Sequence, residues 1–318
     1  MSEQETIAVS AAASASTAAP CKRAVVTGGN QGMGLVTAAA LAASNYHVTI
    51  SVRSDSKGQE AVRTLQQNNP DAVVDYVLMD NGDLSTVYSF ASQLDAAKLD
   101  LLVCNAGIMN TPFALSKDGI EMQYQVNHLA HFLLTHLLMP RLQAASGTAR
   151  VIYLSSRAHM RHPQPIDYAA LKAETTSTDL NGWGAYGRSK LSNLLTAKAL
   201  ARRFPPATSG VAFFSLHPGL VETNLLAIGG GSLAGRGMNV EDGIRCTIWL
   251  ATSTELEGMS GNYFHNEVTY YIDPEEQARH DLMSQIATDP HEAENCWTNS
   301  LAMLGLAEDG FGTPLPVP

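Results

Sequence analysis

Six short apolar runs lie between Lys22 and Gly219: KRAVVTG, HVTISVR, VVDYVLMD, LDLLVCNAG, ARVIYLSS and VAFFSLHPG. They are rich in Val, Ile, Leu or Phe and lack the polar alternation of a strand with one wet face. Runs of this kind fit strands buried on both sides, the environment of a parallel sheet covered by helices. Amphipathic intervals separate them, and helices are predicted over Met33–Ser44, Gln59–Asn68, Leu84–Ala96, Gly119–Ala144, Ala185–Phe204 and Val240–Ala251. Parallel strands cannot be joined by a hairpin and need a crossover. The β-α-β-α order therefore predicts an α/β fold, a doubly wound parallel sheet with helices on both faces. The segment from about Ile272 onward reads as one or two helices and a proline-ended tail.

Bulk composition agrees with a single domain. The chain has 318 residues, 45% hydrophobic and 16% charged, which suits one α/β unit without an internal repeat or linker. No apolar run approaches the 18 or so residues of a transmembrane helix, so no membrane anchor is expected. The net charge of −10 argues against a general affinity for nucleic acid or anionic membranes. Cys21, Cys104, Cys246 and Cys296 are far apart, with no C-x-x-C pair, and read as reduced thiols without a zinc site. Residues 1–20, MSEQETIAVSAAASASTAAP, carry acidic residues early and no basic one. They read as a disordered tail rather than a targeting peptide, leaving 21–318 as the domain and a cytoplasmic location as the expectation.

The first apolar run leads into TGGNQGMG, Thr27 to Gly34, where a strand must turn into a helix. Glycine weakens both elements, so its repetition there needs a reason. A glycine turn permits positive φ and lets backbone N–H groups approach a pyrophosphate at the positive end of the helix dipole.

The spacing T-G-x-x-x-G-x-G resembles the fingerprint of the short-chain dehydrogenase/reductase family, and five further motifs follow in the family's order. The fourth run ends in Asn105-Ala106-Gly107, the long helix carries Asn127 in QVNHLAHFLLTHLL, and the fifth run ends in Ser155-Ser156. Tyr186-Gly-Arg-Ser-Lys190 is a Y-x-x-x-K, and the sixth run ends in His217-Pro218-Gly219 with Thr223 following. DGIEMQYQVNHLAHFLLTHLL, SSRAH, YGRSKLSNLL and HPGLVETNL are most similar to the retinol dehydrogenase branch. That branch includes relatives with a WW-domain extension and lies near the light-dependent protochlorophyllide reductases.

The resemblance implies a Rossmann-type fold and a nicotinamide cofactor. Gly28, Asn30, Gly32, Met33 and Gly34 would hold it at the turn, Asp80 and Asn81 near the adenine, and Asn105, Ala106 and Gly107 beside it. Pro218, Gly219, Val221 and Thr223 would also contact the cofactor. Tyr186 would be the general acid/base. A phenol with pKa near 10 needs a nearby cation to work at neutral pH, and Lys190, one helical turn on, lies on the same face. Lys190 would also hold the nicotinamide ribose. Ser156 would hydrogen-bond the substrate oxygen, with Ser155 the alternative, and Asn127 would hold a water that completes a proton relay.

In family members that prefer NAD(H), a carboxylate at the tip of the second strand grips the ribose hydroxyls. Here the tip is Ser51-Val52-Arg53, and the planar fork of Arg53 suits a 2′-phosphate. NADP(H) is therefore expected over NAD(H). Asp55 close by speaks for NAD(H) unless it serves the next helix. His128, His131 and His136 lack a partner carboxylate or Cys at ligand spacing and read as packing residues, with no metal. LLAIGGGSLAGRGMNV, after Thr223, stands where the family has its substrate lid, and residues 157–184 form an insertion expected to border the substrate pocket.

The resulting expectation is an NADP(H)-dependent enzyme for an apolar aldehyde, ketone or alcohol. Reduction of a C=C bond in a pigment-like substrate, and a non-catalytic NADP(H)-binding regulatory protein, are the alternatives. The helices bearing Asn127 and Tyr186 often pair across a dimer axis in this family, which leaves a monomer or a homodimer.

Overall fold

The computed structural model describes residues 21–161, 164–172, 182–265, 282–308 and 311–312. The expected N-terminal tail and the proline-ended C-terminal tail lie outside them. Seven parallel strands form one sheet: β1 Lys22–Val26, β2 Tyr46–Val52, β3 Val74–Leu78, β4 Leu101–Cys104, β5 Ala149–Leu154, β6 Val211–His217 and β7 Tyr263–His265. Their order is β3-β2-β1-β4-β5-β6-β7, with registers such as Val26 opposite Ile50 on one side and Val103 on the other.

Strand pleat sends successive side chains to opposite faces, and both faces are packed. Val25, Leu102 and Phe213 enter one core with Phe90, Phe132 and Trp297. Val26, Val103 and Phe214 enter the other with Leu41, Ile50 and Phe264. The absence of polar alternation in these runs follows directly. The third run departs from this pattern. As the edge strand, β3 is half-buried, and Leu78 is 46% exposed, because no strand pairs outside it among the described residues.

Helices on the two faces are α1 Gly32–Ala43, α2 Asp55–Asn68, α3 Leu84–Gln93 and the long α4. The last runs through an α-helical turn Met122–Tyr124, a π-helical turn Gln125–Leu129 and an α-helical stretch Ala130–Gln143. After it come α5 Trp183–Arg203, α6 Asn224–Gly229, α7 Arg245–Thr252 and α8 Pro290–Leu304. The helix predicted over Val240–Ala251 is broken at Ile244 into Val240–Gly243 and α7. The seventh strand, within GNYFHNEV, was not anticipated. Three residues are too few to show a period, and β6 supplies the pairing that makes them a strand. Among the described residues no helix is long and apolar enough to cross a membrane.

Since every strand runs the same way, all seven carboxyl ends face one side. The order reverses between β1 and β4, and in such sheets the crevice at that switch point receives the ligand. The glycine turn follows β1 and Asn105-Ala106-Gly107 follows β4, so the two motifs meet there.

Candidate active site

At the switch point Thr27 ties the two strand ends together. Its hydroxyl accepts hydrogen bonds from the backbone N–H groups of Asn105 and Ala106, both at 2.9 Å. The Asn105 side-chain amide donates to the Thr27 carbonyl at 2.8 Å. Gly28 and Gly32 have φ of +64° and +52°, the left-handed region that favours glycine. A Cβ on Gly34 would sit 2.3 Å from the Gly28 carbonyl oxygen, so the turn folds onto the first residues of α1 with no room for a side chain. The result is a backbone cradle at a helix N-terminus, a shape and polarity that fit a pyrophosphate. Asn30, Met33 and Gly34 belong to the same turn and first helical turn, and Thr223 lies beside it, 3.4 Å from where a Cβ of Gly32 would be.

Arg53 is exposed just past the end of β2. The competing carboxylate, Asp55, is engaged elsewhere: it accepts from Gln59 Nε2 at 2.6 Å and from the Tyr76 hydroxyl at 2.5 Å. Asp80, past the end of β3, accepts from the Gly82 N–H at 2.9 Å. The Asn81 amide is turned to α4, donating to the Val126 carbonyl at 2.9 Å.

The catalytic candidates converge from β5, α4 and α5. Tyr186 and Lys190, four residues apart on α5, lie on one face, with the ammonium 5.6 Å from the phenol ring centre. Lys190 Nζ donates to the Leu154 carbonyl at 2.9 Å. Asn127 sits in the π-helical turn, where both amide hydrogens are used, on the Ile108 carbonyl and Ser189 Oγ, each at 2.9 Å. Its Oδ1 accepts from the Ile108 N–H at 2.8 Å. It thus clamps the segment after Asn105-Ala106-Gly107 to α5, one residue from Lys190. A Cβ on Gly107 would lie 3.1 Å from Asn127 Oδ1 and 3.6 Å from Lys190 Nζ.

The two serines separate. Ser155 is buried and its hydroxyl donates to the Lys190 carbonyl at 2.7 Å, while Ser156 accepts from the Ala158 N–H at 3.2 Å and lines the same cavity as the Tyr186 phenol. His159, which was not singled out from sequence, stands behind Ser156. Its Nδ1 is 2.6 Å from the Ser156 carbonyl and its Nε2 accepts from the Ser284 N–H. It ends the run SSRAH, but its second partner comes from a distant loop that local spacing does not show.

Electrostatics qualify the sequence reading. Burial pushes the Tyr186 phenol up to about 12, opposed by the nearby Ser156 hydroxyl, and pushes Lys190 down to about 8. Desolvation disfavours both charged forms and outweighs the lowering of Tyr186 expected from the lysine. The phenol is therefore fully protonated at neutral pH.

Tyr186 and Ser156 open into a cavity of about 480 Å³, within the range of small-molecule sites. Met109, Trp183, Leu220 and Leu226 give it an apolar lining, and Pro218, Gly219, Val221 and Thr223 form another part of the wall. The expected lid segment contributes Leu225, Leu226 and Leu233 and begins as α6, capped by the Thr223 hydroxyl. The 157–184 insertion contributes Arg157, Ala158, Met160, Arg161 and Trp183, although part of it lies outside the described residues. His217 also lines the cavity; burial holds its imidazole well below its usual range, so it is neutral.

The three helical histidines are packing residues in the structure. His128 meets Ser300 Oγ at 2.9 Å, His131 bridges Thr27 Oγ1 and the Asn127 carbonyl, and His136 accepts from the Gly312 N–H. Among the described residues no group of side chains has the makings of a metal site.

Comparisons with known proteins agree with this geometry. Residues 22–178 match the family model described as short chain dehydrogenase. Retinol dehydrogenase 12 of Mus musculus is 32% identical over 295 residues, covering 90% of this chain and 87% of that protein. Short-chain dehydrogenase TIC 32 B, chloroplastic, of Brassica napus is 34% identical over 255 residues, covering 76% and 79%. The crystal structure of an uncharacterized protein from Mycobacterium paratuberculosis superposes with a TM-score of 0.70 at 30% identity, covering 90% of this chain and 94% of that one. With its motifs standing at the ends of the expected strands, and relatives matched over most of their length, this chain belongs to the short-chain dehydrogenase/reductase family.

Proposed function

We propose that the chain is an NADP(H)-dependent oxidoreductase acting between an apolar aldehyde or ketone and the corresponding alcohol, with Tyr186 as the general acid/base. The observation that carries this reading is Tyr186 itself, sharing an apolar cavity with Ser156 and standing beside the Lys190 ammonium. The glycine turn, Asn105-Ala106-Gly107, Lys190 and the Pro218–Thr223 segment would hold the dinucleotide. Arg53 would meet its 2′-phosphate, a role supported by the engagement of Asp55 with Gln59 and Tyr76.

When bound in its reduced form, the nicotinamide supplies the hydride that adds to the carbonyl carbon. Ser156 orients the carbonyl oxygen and donates to it as negative charge develops. Tyr186 gives its phenolic proton to that oxygen, completing the alcohol. Lys190, held by the Leu154 carbonyl and backed by the Asn127 clamp, stabilises the phenolate that remains. Because burial keeps Tyr186 protonated at neutral pH, the site is set for reduction there, and alcohol oxidation is expected to gain as pH rises.

The test is NADPH oxidation by the purified chain against retinal, medium-chain aldehydes, steroid ketones and quinones, with NADH in parallel. Turnover with NADPH above NADH is expected. Tyr186→Phe should lower kcat by about a thousandfold and still bind NADPH. Survival of turnover in Tyr186→Phe would overturn the assignment of the proton donor. Tight NADPH binding with no turnover on any carbonyl would transfer the reading to a non-catalytic role.

A further inference from the structure

Two cations stand in the wall of this apolar cavity. Arg157 follows Ser156 directly, and Arg161 ends the helical turn Arg157–Arg161. Among the described residues no Asp or Glu lines the cavity, although the chain as a whole carries a net charge of −10. A neutral hydrocarbon gains nothing from guanidinium heads at the rim of its cavity, whereas an anion does. Local charge of this sign, against the sign of the whole molecule, points to an anionic group on the ligand.

Arg161 is also oriented. Its guanidinium lies over the Trp183 ring, 4.9 Å from the centroid, and Trp183 stands edge-on to Tyr186 with ring centres 5.8 Å apart. The indole holds the guanidinium in place, and its fork of N–H groups suits a planar anion. No carboxylate among the described residues pairs with Arg161. One indole separates this cation from the phenol that would deliver the proton.

We propose that the cavity selects carbonyl compounds with a hydrocarbon body and a carboxylate several bonds from the reacting carbon. Arg161 receives the carboxylate. A carboxylate matches the guanidinium fork with two parallel N–H···O bonds, while the methionine and leucine side chains of the cavity take the hydrocarbon. This inference rests on the reading of the cavity as the substrate site and narrows its substrate class. Both arginines are exposed, so added salt should weaken the selection, the Debye length being about 8 Å at physiological ionic strength.

The experiment compares a medium-chain ω-oxo carboxylic acid with its methyl ester, using the whole chain and NADPH at low and high salt. The ratio of kcat/KM for acid over ester is expected to be at least about tenfold at low salt. That ratio should collapse in Arg161→Gln and return in part in Arg161→Lys. Equal rates for acid and ester in the unaltered chain would overturn the proposal. So would an Arg161→Gln effect equal on both substrates, or one that appears in the KM for NADPH instead. Binding of decanoate against decanol, followed by tryptophan fluorescence, needs no turnover. Decanoate bound more tightly than decanol, with the difference lost in Arg161→Gln, supports the anion site even if no carbonyl is reduced. Equal binding of the two overturns it. Turnover of the ester with no preference for the acid would sink this inference and leave the proposed reaction standing.

Discussion

Ser155 and Ser156 are adjacent and chemically identical, yet strand pleat sends them to opposite sides at the end of β5. Ser155 is buried on the Lys190 carbonyl and Ser156 meets the phenol. Ser155→Ala should therefore cost about 1–2 kcal/mol of stability by leaving a buried carbonyl short of a donor, read as a lower denaturant midpoint. Ser156→Ala should leave the midpoint near its original value and lower kcat/KM by about a hundredfold. The opposite pattern would exchange their roles. Arg53 makes its own prediction. Arg53→Ala should raise the KM for NADPH by about tenfold, the worth of a charge-assisted pair, and leave NADH use nearly unchanged. An equal effect on both cofactors would remove Arg53 from the phosphate site.

At the scale of one element, α4 begins on a buried acid. Glu121 is fully buried, and its carboxylate accepts from the N–H groups of Gln123 and Tyr124 at 3.0 and 2.7 Å. These bonds favour the charged form, but burial outweighs them and pushes the carboxyl from 4.5 up to about 7. Between those values the folded chain holds a proton that the unfolded chain has lost. The stabilisation is complete below about pH 4.5 and disappears as pH rises through about 7. Glu121→Gln keeps an acceptor oxygen and does not titrate. Its stability relative to the unaltered chain should rise by about 3 kcal/mol between pH 4 and pH 8, compared through urea midpoints. A difference independent of pH would show that Glu121 does not titrate in this range. The same element shows why position matters at the site. The π-helical turn that carries Asn127 onto Ile108 and Ser189 has no signature in an apolar run that looks helical throughout.

At the scale of the whole molecule, α8 decides which surfaces are free. It lies on α5, with Trp297 against Phe132 and Phe311 and the Arg203 guanidinium over its ring. Cys296 sits by Thr196 and Ser192, and Ser300 meets His128. Every residue from Ala185 to Ala197 and from Asn127 to His136 is buried within the one chain. The faces through which helices of this kind would pair in a dimer are thus already covered, and a monomer is expected in sedimentation equilibrium. A stable dimer whose contacts involve α4 and α5 would contradict this. Trp297→Ala should cost about 3–5 kcal/mol by opening a cavity in a packed core, seen as a lower melting temperature.

The sequence by itself determined the sheet, because strands buried on both faces must be apolar without alternation and parallel strands must be separated by crossovers. It also determined where the glycine turn, Asn105-Ala106-Gly107, Ser156, Tyr186 and Lys190 stand, since each is tied to a strand end or to one helical turn and these are local relations. Tertiary structure decided what depends on neighbours remote in the chain. β7 exists because β6 offers it an edge, β3 is half-wet because it is the edge strand of the sheet, and His159 is held in part by Ser284, more than a hundred residues away. Burial, which no local pattern measures, set the charge states of Tyr186, Lys190 and Glu121. The meeting of Arg161, Trp183 and Tyr186 likewise arose from packing, because stacking between the start of an insertion and the start of a helix leaves no periodic trace in the residues between.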